Sequence, residues 1–124
     1  MGQTGSVATR LWGVVIGALD PVAQARWWAN ALGWSWEVDE DGDGRVFSGD
    51  PDVPQLLFEQ VGDAKTPVKN RLHLDFTPDD QQAEVDRLIG MGARHVDVGQ
   101  GEQTWVVLAD PEGNEFCVLA AAEN

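Results

Sequence analysis

The stretch VVLADPEGNEFCVL, from Val106 to Leu119, constrains this chain more than any other. Val106, Val107 and Leu108 predict a buried strand, and Glu115 to Leu119 alternate polar with apolar residues as a second strand does. Between them stand Asp110, Pro111, Glu112, Gly113 and Asn114. Proline pre-sets the turn backbone, and Gly or Asn accepts a positive φ, so a tight hairpin has a local mechanism here.

The rest of the chain reads as one pattern written twice. LWGVVIGAL predicts a strand, and Asp20-Pro21 then opens a helix, Asp as the cap and Pro in the first turn. Ala25, Trp28, Ala29 and Leu32 recur at helical spacing as the buried stripe, and Gly33 ends the helix. WSWEV, GRVFS and PQLLFEQV follow as strands, separated by the turns DEDGDG and GDPDV. The second copy begins at RLHLDF. Thr77-Pro78-Asp79 starts its helix, with Val85, Leu88 and Ile89 on the buried face and Gly90 and Gly92 around its end. ARHVDV, TWVVLA and EFCVL are its closing strands. The expected organisation is a leader over 1–10 and one domain over 11–124. That domain holds a first module over about 11–61, a linker over 62–70 and a second module over about 71–120. The fold class is α+β.

With 124 residues, one domain of this size buries enough surface to stand without a staple. The single Cys excludes an internal disulfide and fits a reducing, cytoplasmic setting. No apolar run approaches a membrane span. A formal charge of −13 argues against nucleic acid, which calls for clustered Lys and Arg. Lys65, Lys69 and Arg71 reverse that sign locally; they either steer an anionic ligand or balance neighbouring carboxylates. Asp39, Asp41 and Asp43 superficially match a calcium loop. Position 12 of such a loop would be Asp50 rather than Glu, so a solvated hairpin turn is expected.

The strand, DPEGNEF turn, strand arrangement, with KNRLHLDF upstream, resembles the vicinal oxygen chelate superfamily and its small glyoxalase-like subgroup. The resemblance implies two tandem βαβββ modules whose curved sheet surrounds a cavity. Members with metal chemistry carry one ligand in the first strand and one in the last strand of each module. Transferred position by position, that set becomes Gly13, Glu59, His73 and Cys117. Gly13 cannot ligate, and a soft thiol replaces the second module's carboxylate. No metal is therefore expected. If one binds, the ligands are Glu59, His73 and Cys117, and zinc is favoured for the thiolate.

His73 has two readings, a hydrogen-bonded structural residue beside Asp75 and Arg71, or a side chain that contacts a ligand or transfers its proton. Cys117 reads first as a small buried thiol, though a thiol–imidazole pair with His73 is conceivable. Among the six Trp residues, Trp28 fits the core, and Trp34 and Trp36 share one strand face that covers a cavity or an interface. Trp105 is the candidate for an aromatic cavity wall. The function expected is that of a glyoxalase or bleomycin-resistance-like protein. Such a protein would hold a small aromatic or amphipathic molecule in an apolar cavity through His73, Glu59, Trp105, Cys117 and Arg71. The alternative is a metal-dependent lyase, isomerase or dioxygenase with a reduced ligand set. A homodimer is expected, with no nucleic-acid or membrane partner.

Overall fold

A computed structural model describes residues 9–97, 99, 101 and 103–121. Most of the expected leader, residues 1–8, lies outside them, as does Val98 of the ARHVDV segment. No described helix is long and apolar enough to cross a membrane. The chain divides into two units, residues 1–60 and 61–124. Each has the order strand, helix and three strands, which is the α+β, two-module plan expected.

In the first unit, β1 (Gly13–Ala18) is followed by α1 (Pro21–Leu32), β2 (Ser35–Val38), β3 (Gly44–Phe47) and β4 (Gln55–Gln60). The sheet is open, in the order β1-β4-β3-β2, with β1 parallel to β4 and the other pairs antiparallel. The Asp20 carboxylate accepts from the Ala23 N–H and Pro21 sits in the first turn, as the sequence predicts. Gly33 closes the helix in the left-handed region, and its N–H donates to the Ala29 carbonyl. Ala25, Trp28 and Ala29 are buried, whereas Leu32, the last residue of the helix, is only half-buried. The even-numbered strand residues Val46, Leu56 and Phe58 form the unit's core with Ala25 and Trp28. Helix and sheet approach so closely that a Cβ at Gly44 would lie 2.5 Å from both the Ala25 Cβ and the Pro21 carbonyl oxygen. The odd-numbered residues Val15 and Glu59 point to the opposite, exposed face.

In the second unit, β5 (Leu74–Phe76), α2 (Gln81–Gly90), β6 (Arg94–His95), β7 (Val106–Ala109) and β8 (Glu115–Val118) repeat the plan in the order β5-β8-β7-β6. The helix starts later than Thr77-Pro78-Asp79 suggests. Asp80 is the cap, its carboxylate accepting from the Ala83 N–H. Val85 and Leu88 are buried, but Ile89 is exposed. Ile89, four residues after Val85, keeps to the same helix face, but it is the penultimate residue of the helix and stays exposed there. Phe76 and Phe116 meet edge to face, with centroids 5.9 Å apart. ARHVDV yields only the two-residue β6, although the Val96 N–H still reaches the Val107 carbonyl.

One turn device occurs twice. Asp110 accepts on Oδ1 from the N–H groups of Glu112 and Asn114, its own N–H donates to the Asn114 carbonyl, and Gly113 takes a φ of 91°. Asp39 does the same for Asp41 and Asp43, with Gly42 at a φ of 84°. The acidic DEDGDG run is thus the hairpin turn expected, its first carboxylate tied to its own backbone.

Candidate functional site

The site grows from strand parity. His73 and Asp75 are two residues apart, so their side chains leave the same face. The parallel pairing of β5 with β8 sets Asp75 opposite Cys117, and the antiparallel pairing of β7 with β8 sets Val107 opposite Cys117. Asp75, Cys117 and Val107 therefore share a face with Glu115 and Leu119. A cavity of about 260 Å³ opens on it. Trp105, Val107 and Leu119 are its apolar wall. His73, Asp75, Cys117, Glu115, Lys69 and Asn70 supply its polar groups.

Asp75 is the hub. Its Oδ1 lies 2.9 Å from His73 Nδ1. A carboxylate only accepts, so Nδ1 carries the proton and Nε2 is the open position of the ring. The Cys117 sulfur stands 3.8 Å from that same Nδ1. Sulfur and carboxylate thus address one nitrogen, which excludes a relay in which the acid holds one ring nitrogen while the other activates the thiol. Burial, the Asp75 charge and a hydrogen bond to Asp75 push the Cys117 thiol up, against a smaller opposing pull from Lys69. Cys117 is consequently a thiol at neutral pH.

A second arrangement fixes the loop before β5. Glu115 is 9% exposed. Its Oε1 accepts the Asn70 N–H at 3.0 Å, and its Oε2 meets Lys65 Nζ at 3.1 Å. The Lys65 ammonium also donates to the carbonyls of Thr66 and Val68. Desolvation pushes the Glu115 carboxyl up, but the backbone N–H groups of Asn70 and Glu115 and the Lys65 ammonium outweigh it and hold it below its usual range. Loop residues Lys69 and Asn70 are thereby held at the cavity. The sequence offers Lys69 as one of three cations that steer an anionic ligand or balance carboxylates, but gives no sign of Asn70, because a loop has no periodicity to read.

Among the described residues of the first unit, no such imidazole–carboxylate–thiol cluster stands on the matching strands. The caps Asp20 and Asp80 lie at matching places, and the registers Val15↔Leu57 and Asp75↔Cys117 correspond. Gly13, Val15 and Leu57 thus stand where the second unit has His73, Asp75 and Cys117. Gly13 is more than a missing donor: a Cβ there would meet the Gln55 carbonyl oxygen at 2.5 Å. Glu59, the first unit's candidate ligand, is exposed and pairs in register with Gly17. Arg71 is exposed two residues ahead of His73, and the cavity lining does not include it. Trp105 is 36% exposed at the cavity, while Trp28 is buried at 3%.

Comparison with known proteins places this geometry. Residues 13–119 match the model of the glyoxalase-like domain. The chain belongs to that family, within the vicinal oxygen chelate superfamily. Among solved structures it is similar to a glyoxalase/bleomycin resistance protein/dioxygenase family enzyme from Burkholderia phytofirmans PsJN. The TM-score is 0.67 at 18% identity, over 92% of this chain and 100% of that one. A second similar structure is the trypanothione-dependent glyoxalase I of Leishmania major, with a TM-score of 0.66 at 15% identity over 91% and 87% of the two chains. A third is the oxidase ChaP-H1, with a TM-score of 0.63 at 25% identity over 93% and 98%. No curated protein matches the chain.

The superfamily implies a divalent ion shared between modules. The residues present do not fit that divided set, because position 13 has neither a donor nor room for a side chain. Within the second unit, one ligand atom each from His73, Asp75 and Cys117 lies within 4.8 Å of the others. That trio differs from the expected Glu59, His73 and Cys117 by taking its carboxylate from Asp75. Its donors suit a soft divalent ion such as zinc, which would supply Lewis acidity at its open positions.

Proposed function

We propose that this protein binds a small aromatic or amphipathic molecule in the second unit's cavity, without a metal. The carrying observation is the lining itself, an indole, a valine and a leucine facing an imidazole–carboxylate pair. Apolar walls supply affinity, and a few fixed polar groups supply orientation. Asp75 already occupies His73 Nδ1, so the pair is organised before a ligand arrives.

The test is ligand-observed NMR on the full chain kept in EDTA, using neutral indole and a panel of small aromatic ketones and acids. Saturation transfer that His73→Ala weakens supports the reading. A panel that leaves every signal unchanged sinks it.

The convergence of His73, Asp75 and Cys117 favours one second reading, a metal-dependent enzyme working through zinc on that trio. Elemental analysis of protein purified without chelator separates the two. Stoichiometric zinc that Cys117→Ser removes would replace the first reading by the second.

A further inference from the structure

We infer that a groove beside the cavity, on the second unit's sheet, is a site for a phosphate dianion held by Arg94 and Lys69. The site goes beyond the aromatic-binding reading and does not depend on it. The groove has a volume of about 700 Å³ and is lined from β6, from the turn after β7 and from the loop before β5. Three of the chain's eight Lys and Arg residues, Lys65, Lys69 and Arg94, stand along it.

Strand pairing builds its floor. Arg94 is in register with Ala109, and Ala109 with Glu115, so one row of residues crosses β6, β7 and β8. Ala109 is buried and short, which leaves the middle of the row open. Glu115 ends the row and accepts the Asn70 N–H, which sets the neighbouring Lys69 at that end. Two strand spacings separate the ends, about 10 Å. Arg and Lys side chains are long enough to meet one anion across that span. Gly113 leaves space for this, because Arg94 Nη2 lies 3.7 Å from where a Cβ of Gly113 would stand. The guanidinium therefore rests over the turn.

The charges along the groove divide into engaged and free. The Lys65 ammonium is surrounded by the Thr66 and Val68 carbonyls and the Glu115 carboxylate. Among the described residues, no hydrogen bond or ion pair engages Arg94 or Lys69. Asp97 and Glu112 line the groove as well, and Asp97 Oδ1 already accepts the Gly99 N–H. Three carboxylates against three cations leave the groove balanced in a chain of −13, so an anion meets less repulsion there than over most of the surface. A guanidinium fork matches two phosphate oxygens, and an ammonium adds a point charge at a third. Two free cations suit the charge of about −2 that a phosphate group approaches at neutral pH and a single carboxylate lacks.

The test is a titration of the full chain, stripped of metal on chelating resin, at neutral pH and fixed ionic strength. Phosphorus NMR follows the ligand and backbone amide shifts locate it. Inorganic phosphate, naphthyl phosphate and acetate are the probes. Amide shifts should saturate with inorganic phosphate and centre on Lys69, Arg94 and Gly113. Arg94→Gln should weaken binding roughly tenfold, as loss of a bidentate charge-assisted pair does, and Lys69→Met about fivefold. Both side chains are exposed, and each variant tests the site should the other misfold. Arg26→Gln, which removes the same charge from an exposed position on α1, should change affinity less than about twofold because salt screens it. Acetate should bind roughly tenfold more weakly than phosphate. Naphthyl phosphate binding more tightly than inorganic phosphate assigns the site to a monoester, and equal or weaker binding assigns it to the free dianion; both support the site.

Shifts that grow linearly without saturating overturn the proposal. So does a loss in Arg26→Gln equal to that in Arg94→Gln, since net charge alone would then explain the binding. Acetate bound as tightly as phosphate overturns the dianion assignment and the proposal with it.

Discussion

The Asp75 carboxylate stands 2.9 Å from His73 Nδ1, and both side chains face the second unit's cavity. The pair is part-exposed, so its hydrogen bond stabilises the fold little, roughly 1 kcal/mol or less. Its consequence is orientation. Asp75→Asn should leave the melting temperature within a few degrees of wild type. An amide facing Nδ1 can donate as well as accept, so the ring is free to change tautomer. Affinity for a cavity ligand should fall several-fold, read by titration calorimetry. An affinity equal to wild type would show that Asp75 does not set the ring.

The thiol gives a prediction with a definite sign. Burial, then the Asp75 charge and hydrogen bond, raise Cys117, while Lys69 lowers it. Alkylation by iodoacetamide should therefore reach half its limiting rate above the pH of an ordinary cysteine, about 8.5. Asp75→Asn should move that midpoint down, and Lys69→Met should move it up. Equal midpoints in the three proteins would disprove the charge assignment.

Trp105 is the one Trp beyond residue 60; the other five fall in the first unit. Within the second unit, a fluorescence change on ligand binding can come from this ring alone. Emission should shift to the blue as the ligand covers an indole that is 36% exposed. Trp105→Phe should abolish the shift. A full shift retained in that variant would place the ligand elsewhere.

The Lys65–Glu115 pair ties the loop carrying Lys69 and Asn70 to β8. Lys65→Met leaves a buried carboxylate without its cation, which should cost roughly 3 kcal/mol. Because the Glu115 carboxyl is lowered in the fold, its contribution is complete above the ordinary glutamate range, about 4.3, and fades as pH falls through the depressed value. Thermal melts in acid should show a shallower loss for Glu115→Gln than for wild type. Parallel curves would assign the acid sensitivity to other carboxylates.

Gly44 tests the close approach of α1 to its sheet. A Cβ there would overlap the Ala25 Cβ and the Pro21 backbone, neither of which is the end of a flexible chain. Gly44→Ala should cost about 2 kcal/mol by chemical denaturation. A cost below a few tenths would mean that the helix yields.

Much of this was legible along the chain. The caps at Asp20 and Gly33, the Trp28 stripe and the Asp110 turn are local, since each depends on residues within one or two turns of backbone. The absent donor at Gly13 was legible too, because no fold gives glycine a ligand atom. Alternation within RLHLDF already sets His73 and Asp75 on one face, a signal for Asp75 as a site residue that was there to be read. Ile89 was misjudged because the periodicity of a short helix does not show where its contacts end.

Sequence alone, then, determined the two βαβββ units, their caps and turns, and the loss of a ligand at position 13. Tertiary structure decided which donors meet. The pairing of β5 with β8 sets Asp75 against Cys117, and the Glu115 contacts draw Lys69 and Asn70 to the cavity. Register and loop anchoring join residues more than forty positions apart. Such contacts arise only when strands pair, and no local propensity encodes them.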